Sequence, residues 1–334
     1  MQTIKIDTGQ SFLPLPVSLP ATTEEKPLYK PKSFIEANTI EVSLSHLRNS
    51  CVITVYAKDN ECSLSHQEFI RAAQESLYRT FPQQSFDEPE IRVSHQIKGR
   101  IPEAIHKDAK DLLDSEKTIY YERCAFIIRI PRLTTTIDGN EIALTIGGVR
   151  SYHMENLYGR RTYEKFKFFI GFQNRVCCNL CVSTDGYADE IKASSLVELQ
   201  KQMIEVIQRY NAEKHLVEMQ SLAGDFLTEH QFALLSGRTR LYQSLPKREQ
   251  KQIPAMMLND GQLNAIVRDY YDDDSFCRDS SGNINLWKAY NLFTGANKNS
   301  YIDSFLDRNV NAFDFIQGIQ RALSGTSSYH WFLS

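Results

Sequence analysis

Hydrophobic and polar positions recur along this chain in two rhythms, one near 3.6 residues and one of two, and the switches between them mark out its parts. Behind Ser65 the residues Phe69, Ala72, Ala73 and Leu77 repeat at helical spacing. Ser65-x-x-Glu68 supplies a capping box for that helix, and Pro82 closes it. A strand with Val52, Ile53 and Val55 is predicted from Ser50 to Tyr56, and Glu90 to Ile97 alternates like another. Pro102 stands where a first helical turn accepts proline, and Ile105, Ala109, Leu112 and Leu113 then predict a short amphipathic helix.

From Thr118 the period is two. Cys124, Phe126, Ile128 and Ile130 face one way, while Arg123, Ile127 and Arg129 face the other. Asp138-Gly139 is a hairpin signal, because glycine accepts positive φ. Ile142, Leu144 and Ile146 form the next strand, which Gly147-Gly148 is expected to bend or bulge. A polar loop from His153 to Thr162 leads into a strand from Lys165 to Phe172. Gln173-Asn174 makes a short turn, and Val176 to Ser183 returns, giving an antiparallel meander. Ser195-x-x-Glu198 then caps a long helix with Leu196, Leu199, Met203, Val206, Ile207 and Tyr210 on its apolar face.

After about Leu216 strand signals cease. Helices are predicted from Thr228-x-x-Gln231 through Leu241, at Gln262 to Tyr271, at Leu286 to Phe293 and at Val310 to Leu323. The fold class read from this pattern is α+β: an antiparallel meander covered by helices, followed by a helical C-terminal part. Its divisions are a proline-rich arm over residues 1–45, an α+β core domain over 46–218 and a helical module over 219–334. The arm follows from Pro14, Pro16, Pro20, Pro27 and Pro31, which prevent regular helix and disfavour central strand.

Composition changes this picture little. The 334 residues are 42% hydrophobic and 24% charged, ordinary for a globular protein, and the net charge of −3 means that any nucleic-acid surface must be local. No apolar run approaches the ~20 residues of a membrane helix. The first ten residues lack the layout of a signal peptide, and the seven cysteines are odd in number and scattered, so a cytoplasmic protein with reduced thiols is expected.

Candidate chemistry is thin. Cys178 and Cys181 form C-x-x-C, but on a continuous strand they point to opposite faces. Cys177 and Cys181 share a face some 13 Å apart at ~3.3 Å per residue, too far for one zinc ion, so buried structural thiols are expected. Asp269, Asp272, Asp273, Asp274 and Asp279 cluster, but Cys277 breaks the calcium-loop register and a solvated loop is expected. Nucleophile elbow, phosphate loop and H-E-x-x-H are all missing from the sequence, and no cofactor is called for. Trp287, Tyr290 and Phe293 read as a core-facing helix stripe, with Asn291 and Thr294 bonding locally.

The strongest chemical signal is a basic and aromatic mix. Between Tyr121 and Leu180 there are nine basic residues (Arg123, Arg129, Arg132, Arg150, Arg160, Arg161, Lys165, Lys167, Arg175) against five acidic ones (Glu122, Asp138, Glu141, Glu155, Glu164). On the strand from Lys165, the face carrying Lys165, Lys167 and Phe169 is expected to be solvated, with Tyr152, Tyr158 and Tyr163 around Arg160-Arg161 in the adjoining loop. Cationic grooves interleaved with stacking rings bind single-stranded nucleic acid, although a half-buried sheet with lysines on its wet face has the same pattern. The candidate nucleic-acid-binding set is therefore Arg150, Tyr152, Tyr158, Arg160, Arg161, Lys165, Lys167, Phe169 and Arg175.

Two segments carry a family resemblance: Ile170-Gly171-Phe172-Gln173-Asn174-Arg175-Val176-Cys177-Cys178-Asn179, and Leu286-Trp287-Lys288-Ala289-Tyr290-Asn291-Leu292-Phe293-Thr294. They resemble the phage/plasmid-like proteins of unknown function, which carry a valine-cysteine-polar-asparagine strand and a later helix with tryptophan, asparagine and threonine. The family follows its asparagine with glycine; Leu180 stands there in this chain, which favours a continuing strand over a tight turn. The resemblance implies a bacterial mobile-element context and no particular chemistry. Three functions stay open: an accessory protein binding single-stranded nucleic acid, a protein-interaction factor acting on host machinery, and a metal-dependent enzyme using the Asp272 to Asp279 region.

Overall fold

The computed structural model describes residues 33–51, 64–152, 163–325 and 327–334, apart from the Pro102 side chain. The first half holds β1 (Ile40–Glu41), α1 (Leu44–Ser50), α2 (His66–Thr80), β2 (Glu90–Val93), β3 (Gln96–Arg100), β4 (Lys117–Tyr121), β5 (Arg123–Ile137), β6 (Asn140–Ser151) and β7 (Glu164–Asn174). There follow β8 (Leu180–Cys181), β9 (Tyr187–Ala193), α3 (Leu196–Arg209), α4 (Ala212–Leu222), β10 (Phe226–Leu227), α5 (Glu229–Ser244) and α6 (Lys247–Gln250). The chain finishes with α7 (Asp260–Asp272), β11 (Ile284–Asn285), α8 (Leu286–Asn297) and α9 (Ile302–Leu323). The fold is α+β, as the hydrophobic pattern predicts.

The main sheet is antiparallel, in the order β1-β2-β5-β6-β7-β8, with β9 also pairing β7. Its centre is the β5–β6 hairpin, turned by Asp138 at φ 46° and Gly139 at φ 76°. Both central residues of such a turn need positive φ, which is why Asp-Gly marks it. The register slips between Arg129 and Thr134, not at the glycine pair. Gly147 and Gly148 stay in register opposite Ile127 and Phe126. They serve packing: a Cβ on Gly147 would lie 2.7 Å from the Phe169 ring, and one on Gly148 2.5 Å from the Phe69 ring.

Each face of the sheet has its own core. Phe126, Ile128, Ile146, Phe166, Phe168 and Ile170 pack with Phe69, Ile70 and Leu77 of α2 and Leu199, Met203 and Ile207 of α3. Ala125, Ile127, Val149 and Phe169 pack on the other side with Phe34, Phe305 and Leu306, the last two from α9. The face expected to be wet is thus largely covered by α9, and the sheet is the middle layer of three. The residues allow it, because Ala125-Phe126-Ile127-Ile128 and Phe168-Phe169-Ile170 are continuous apolar runs, the mark of a strand buried on both faces. The larger core continues into the C-terminal helices through Trp287, Tyr290, Phe313, Phe315 and Phe332.

Capping explains which helix starts could be read. The Ser65/Glu68 and Thr228/Gln231 boxes form, and Asn259/Gln262 makes a third. At Ser195 the hydroxyl accepts from Glu198 N–H, while the Glu198 carboxylate returns to Ser194. Helix α9 begins at Ile302, eight residues before the expected Val310, behind an N-cap, Tyr301, whose side chain makes no capping bond. The helix expected after Pro102 is replaced by 3₁₀ turns at Pro102–Ala104, Ala109–Asp111 and Asp114–Glu116, leaving Ile105 63% and Leu113 61% exposed. The strand expected from Glu90 to Ile97 is two strands in two sheets, β2 and β3, joined at Ser94, whose N–H donates to the Arg123 carbonyl. Of the strand expected from Ser50 to Tyr56, residues 52–56 lie outside the described residues.

Candidate functional site

The basic and aromatic residues singled out by sequence are placed in three different settings. Arg150 is buried: its Nη2 lies 3.2 Å from Glu164 Oε2, its Nη1 donates to the Leu64 carbonyl, and its guanidinium sits 4.6 Å from the centres of both the Tyr152 and Phe166 rings. Tyr152 is 6% exposed and lies against His66, with ring centres 4.5 Å apart. Phe169 is 1% exposed within the second core. Lys167 reaches α9, donating to the Asp303 carbonyl at 2.9 Å and to the Asp307 carboxylate at 2.5 Å. These four side chains build the interior and offer no surface for a nucleobase or phosphate.

Lys165 and Arg175 stay at the surface, each with an acid. Lys165 Nζ lies 2.6 Å from Glu190, which Lys192 also approaches at 2.7 Å. The two lysines hold the Glu190 carboxyl down to about 2. Arg175 pairs with Glu141 at 3.1 Å. The two residues stand at opposite ends of β7, roughly 30 Å apart at ~3.3 Å per residue, so they do not form one patch. Tyr158, Arg160 and Arg161 lie outside the described residues.

The two family-like segments meet in the core, around Asn291. Asn179 Nδ2 donates to the Asn291 carbonyl at 2.9 Å and to its Oδ1 at 3.3 Å, and Asn291 Nδ2 donates to the Trp287 carbonyl at 2.9 Å. Asn174 Oδ1 accepts the N–H of Val176 at 2.9 Å and of Cys177 at 3.4 Å, which turns the chain after β7. Cys178 follows at φ 60°, so the strand breaks there and does not run on through Cys181. Cys124, Cys177 and Cys181 are buried, and burial raises the Cys124 and Cys181 thiols. Thr294 Oγ1 donates to the Tyr290 carbonyl at 3.1 Å, as expected of a local bond. This joint ties strand to helix; it is architecture.

The aspartates of the Asp269 to Asp279 stretch shape their own loop. Asp273 Oδ1 accepts the N–H groups of Ser275 at 2.9 Å and Phe276 at 2.8 Å. Asp279 Oδ1 accepts those of Ser281 and Asn283, both at 2.8 Å. No group of three or more metal-ligating side chains comes together among the described residues.

A concave surface lies elsewhere, along β9 and the flank of α3. It is an open groove of about 520 Å³ with Asp185, Asp189, Glu190 and Glu205 as its acids and Arg209 as its cation. Strand β9 pairs β7 along one edge, and its other edge has no strand beside it among the described residues. Two α3 side chains cap carbonyls at the groove's ends: Arg209 Nη2 donates to Tyr187 O at 2.5 Å, and Gln202 Nε2 to Lys192 O at 2.7 Å. Beneath the groove, Tyr187 donates to Asp307 at 2.6 Å, and burial with that bond raises its phenol. Sequence reading passed over this site. Its signal was the alternation of Ile191 and Ala193, buried, with Glu190 and Lys192, exposed, directly before the Ser195 cap.

Arrangement and sequence together define a class before a family: an α+β protein built on a doubly covered antiparallel sheet, with an acidic edge groove. Residues 20–333 match the family described as "Domain of unknown function, B. Theta Gene description (DUF3871)", and the chain belongs to it. No curated protein and no solved structure matches the chain. No helix among the described residues is long and apolar enough to cross a membrane.

Proposed function

We propose that this protein acts by binding another polypeptide, as an interaction factor of a phage, plasmid or related mobile element, and that the β9–α3 groove is the surface it uses. The observation that carries the reading is an open groove of about 520 Å³ beside a sheet edge that has no strand next to it among the described residues. Clefts of this size are ordinary ligand sites, and unpaired strand edges are templates for polypeptide docking. The mobile-element context rests on the two motif segments alone. A photo-crosslinking residue at Glu205, inside the groove, should trap a defined partner in host cells. The same residue at Val217, 59% exposed on α4 and outside the groove lining, should not. Equal trapping at both positions, or none at Glu205, removes the reading.

A second reading keeps single-stranded nucleic acid as the ligand. It is supported by Tyr163, which is 53% exposed just before β7, two residues from both Arg161 and Lys165 in the chain. It predicts binding to an oligonucleotide that weakens steeply with salt and falls in an Arg160/Arg161 double-alanine variant. Undetectable affinity at low salt sinks it. Replication or recombination genes beside this one would favour this reading, and defence genes the first.

A further inference from the structure

We infer that the protein pairs with a second copy of itself through the outer faces of α5 and α7, laid antiparallel about Gly237 to make a four-helix bundle. This surface is separate from the β9–α3 groove. Helices α5 and α7 run antiparallel side by side: Tyr271 donates to Glu229 at 3.3 Å at one end, and Arg240 meets Asp260 at 3.0 Å at the other. Phe232, Leu235, Leu263 and Ile266 are buried beneath them. The outer faces repeat in heptads. His230, Leu234, Gly237, Leu241 and Ser244 are spaced four, three, four, three on α5, and Asp260, Asn264, Val267 and Tyr271 four, three, four on α7. That is the period of a seam in which side chains of one helix enter holes on a facing helix. The seam is open: Leu241 is 56% and Tyr271 50% exposed, and a Cβ on Gly237 would meet nothing within 4 Å. A glycine inside a helix lowers stability relative to alanine, and no contact among the described residues requires one here. A two-fold axis at Gly237 does require it. The axis brings the helix backbone against its copy there, with Leu241 over the exposed Ala233 on either side.

Charge sets the partner and its direction. At the end where Tyr271 meets Glu229, the loop after α7 folds back, with the Arg278 guanidinium 4.7 Å from the Tyr271 ring centre and Lys288 donating to the Cys277 carbonyl. Glu229, Asp269, Asp272, Asp273, Asp274 and Asp279 stand there against Arg268, Arg278 and Lys288, a formal balance of −3 (3 − 6). At the other end α6 turns back on α5, Gln250 donating to the Tyr242 carbonyl at 2.8 Å. Arg240, Lys247, Arg248 and Lys251 stand there against Glu249 and Asp260, a balance of +2 (4 − 2). Arg238 is engaged by the Ser334 carbonyl and the Trp331 ring and is not counted. Part of this charge is answered inside the chain, Arg240 by Asp260 and Arg268 by Asp269. Asp272 and Asp274 at one end, and Lys247, Arg248 and Lys251 at the other, are exposed and have no ion pair among the described residues. A parallel copy would set like charge on like. The antiparallel copy sets each acidic end on a basic one, twice over, as an isologous contact must. The 16 residues of α5 span about 24 Å at ~1.5 Å per residue, some three Debye lengths in physiological salt, so the two pairs of ends act separately.

Sedimentation velocity of the full chain from about 1 to about 200 μM should show the mass rising from 38.4 kDa toward twice that value. Gly237→Leu, which fills the axis, should leave a monomer that melts no earlier than the natural chain. Lys247→Glu/Arg248→Glu and Asp272→Lys/Asp274→Lys, all at exposed positions, should each weaken pairing about tenfold or more. The four charge changes in one chain should restore it, because each end then meets its opposite again. Should Gly237→Leu melt early, the charge cycle still decides. A monomer throughout this range, a folded Gly237→Leu chain that pairs as the natural one does, or four changes that fail to restore pairing each overturns the inference. The interaction reading fails separately, through the crosslinking contrast between Glu205 and Val217.

Discussion

Two buried histidines should make this protein labile in mild acid. His66 is 5% exposed at the start of α2, its Nε2 donating to the Tyr121 carbonyl at 2.8 Å. His215 is 1% exposed within a cage of Phe172, Tyr210 and Phe313, and its Nδ1 accepts from the Tyr210 hydroxyl at 2.7 Å. Burial pushes each imidazole down to about 3 from 6.5, with the Arg150 cation adding to the shift at His66. Both are neutral in the fold, while the unfolded chain takes up their protons below pH 6.5. Stability is therefore whole above pH 6.5 and drains as pH falls toward 3. A one-unit shift corresponds to ~1.4 kcal/mol, so the pair costs roughly 3 kcal/mol per pH unit, and pH 5 removes about 4 kcal/mol. That is a large part of the ~5–15 kcal/mol holding a typical fold. Urea unfolding followed through buried Trp287 should show the midpoint dropping by on the order of 1 M between pH 7 and pH 5, for a slope of ~3 kcal/mol per molar. A His66→Gln/His215→Gln variant keeps a donor for Tyr121 and an acceptor for Tyr210 and should flatten this dependence. An unchanged slope in that variant, or an NMR titration placing either folded imidazole near 6.5, would refute the reasoning.

Other consequences follow from the packing. Asn291→Leu leaves the Asn179 amide without its buried acceptor side chain and should cost roughly 2–4 kcal/mol in thermal unfolding, whereas a site role would leave stability alone. Gly148→Ala forces its Cβ onto Phe69 and should cost ~1–3 kcal/mol, with Phe69→Leu restoring part of the loss; additive losses would contradict the contact. Lys167→Met takes from Asp307 of α9 its ammonium partner and leaves it the Tyr187 hydroxyl, and should cost roughly 1–3 kcal/mol in thermal unfolding. Arg175→Ala, at an exposed pair, should change the melting free energy by less than ~1 kcal/mol.

The parts of the fold legible in sequence are those whose physics is local. Ser65 with Glu68, and Thr228 with Gln231, announce helix starts because the bonds they make close within four residues. Asp138-Gly139 announces the hairpin because its backbone angles exclude most other pairs. Period two at Cys124, Phe126, Ile128 and Ile130 gave one core face correctly, each side chain being at most 1% exposed. The start of α9 has no such local mark, since Tyr301 makes no side-chain cap. What holds its first turns is tertiary: Asp303 takes Arg123 at 2.7 Å, Asp307 takes Lys167, and Phe305 packs on Phe34.

That missing helix is also why the candidate site could not be read. Without α9 over the sheet, Lys167 and Phe169 look like a wet cationic face with a stacking ring. With α9 in place, the same residues are an internal ion pair and a core side chain. The pattern lysine-x-lysine-x-phenylalanine is equally consistent with both, because a strand records which residues share a face and not what lies opposite. The distinguishing clue was the other face: Phe166, Phe168 and Ile170 are as apolar as any one-sided strand requires, yet Phe169 interrupts the polar side, and Ile127 does so on β5. Two large apolar side chains, on the strands either side of β6, on a supposedly wet face call for a cover. The groove at β9 is what that cover leaves over: α9 shields the middle of the sheet and holds Tyr187 through Asp307, while the outer edge of β9, with no strand beside it among the described residues, faces α3 across an acidic opening.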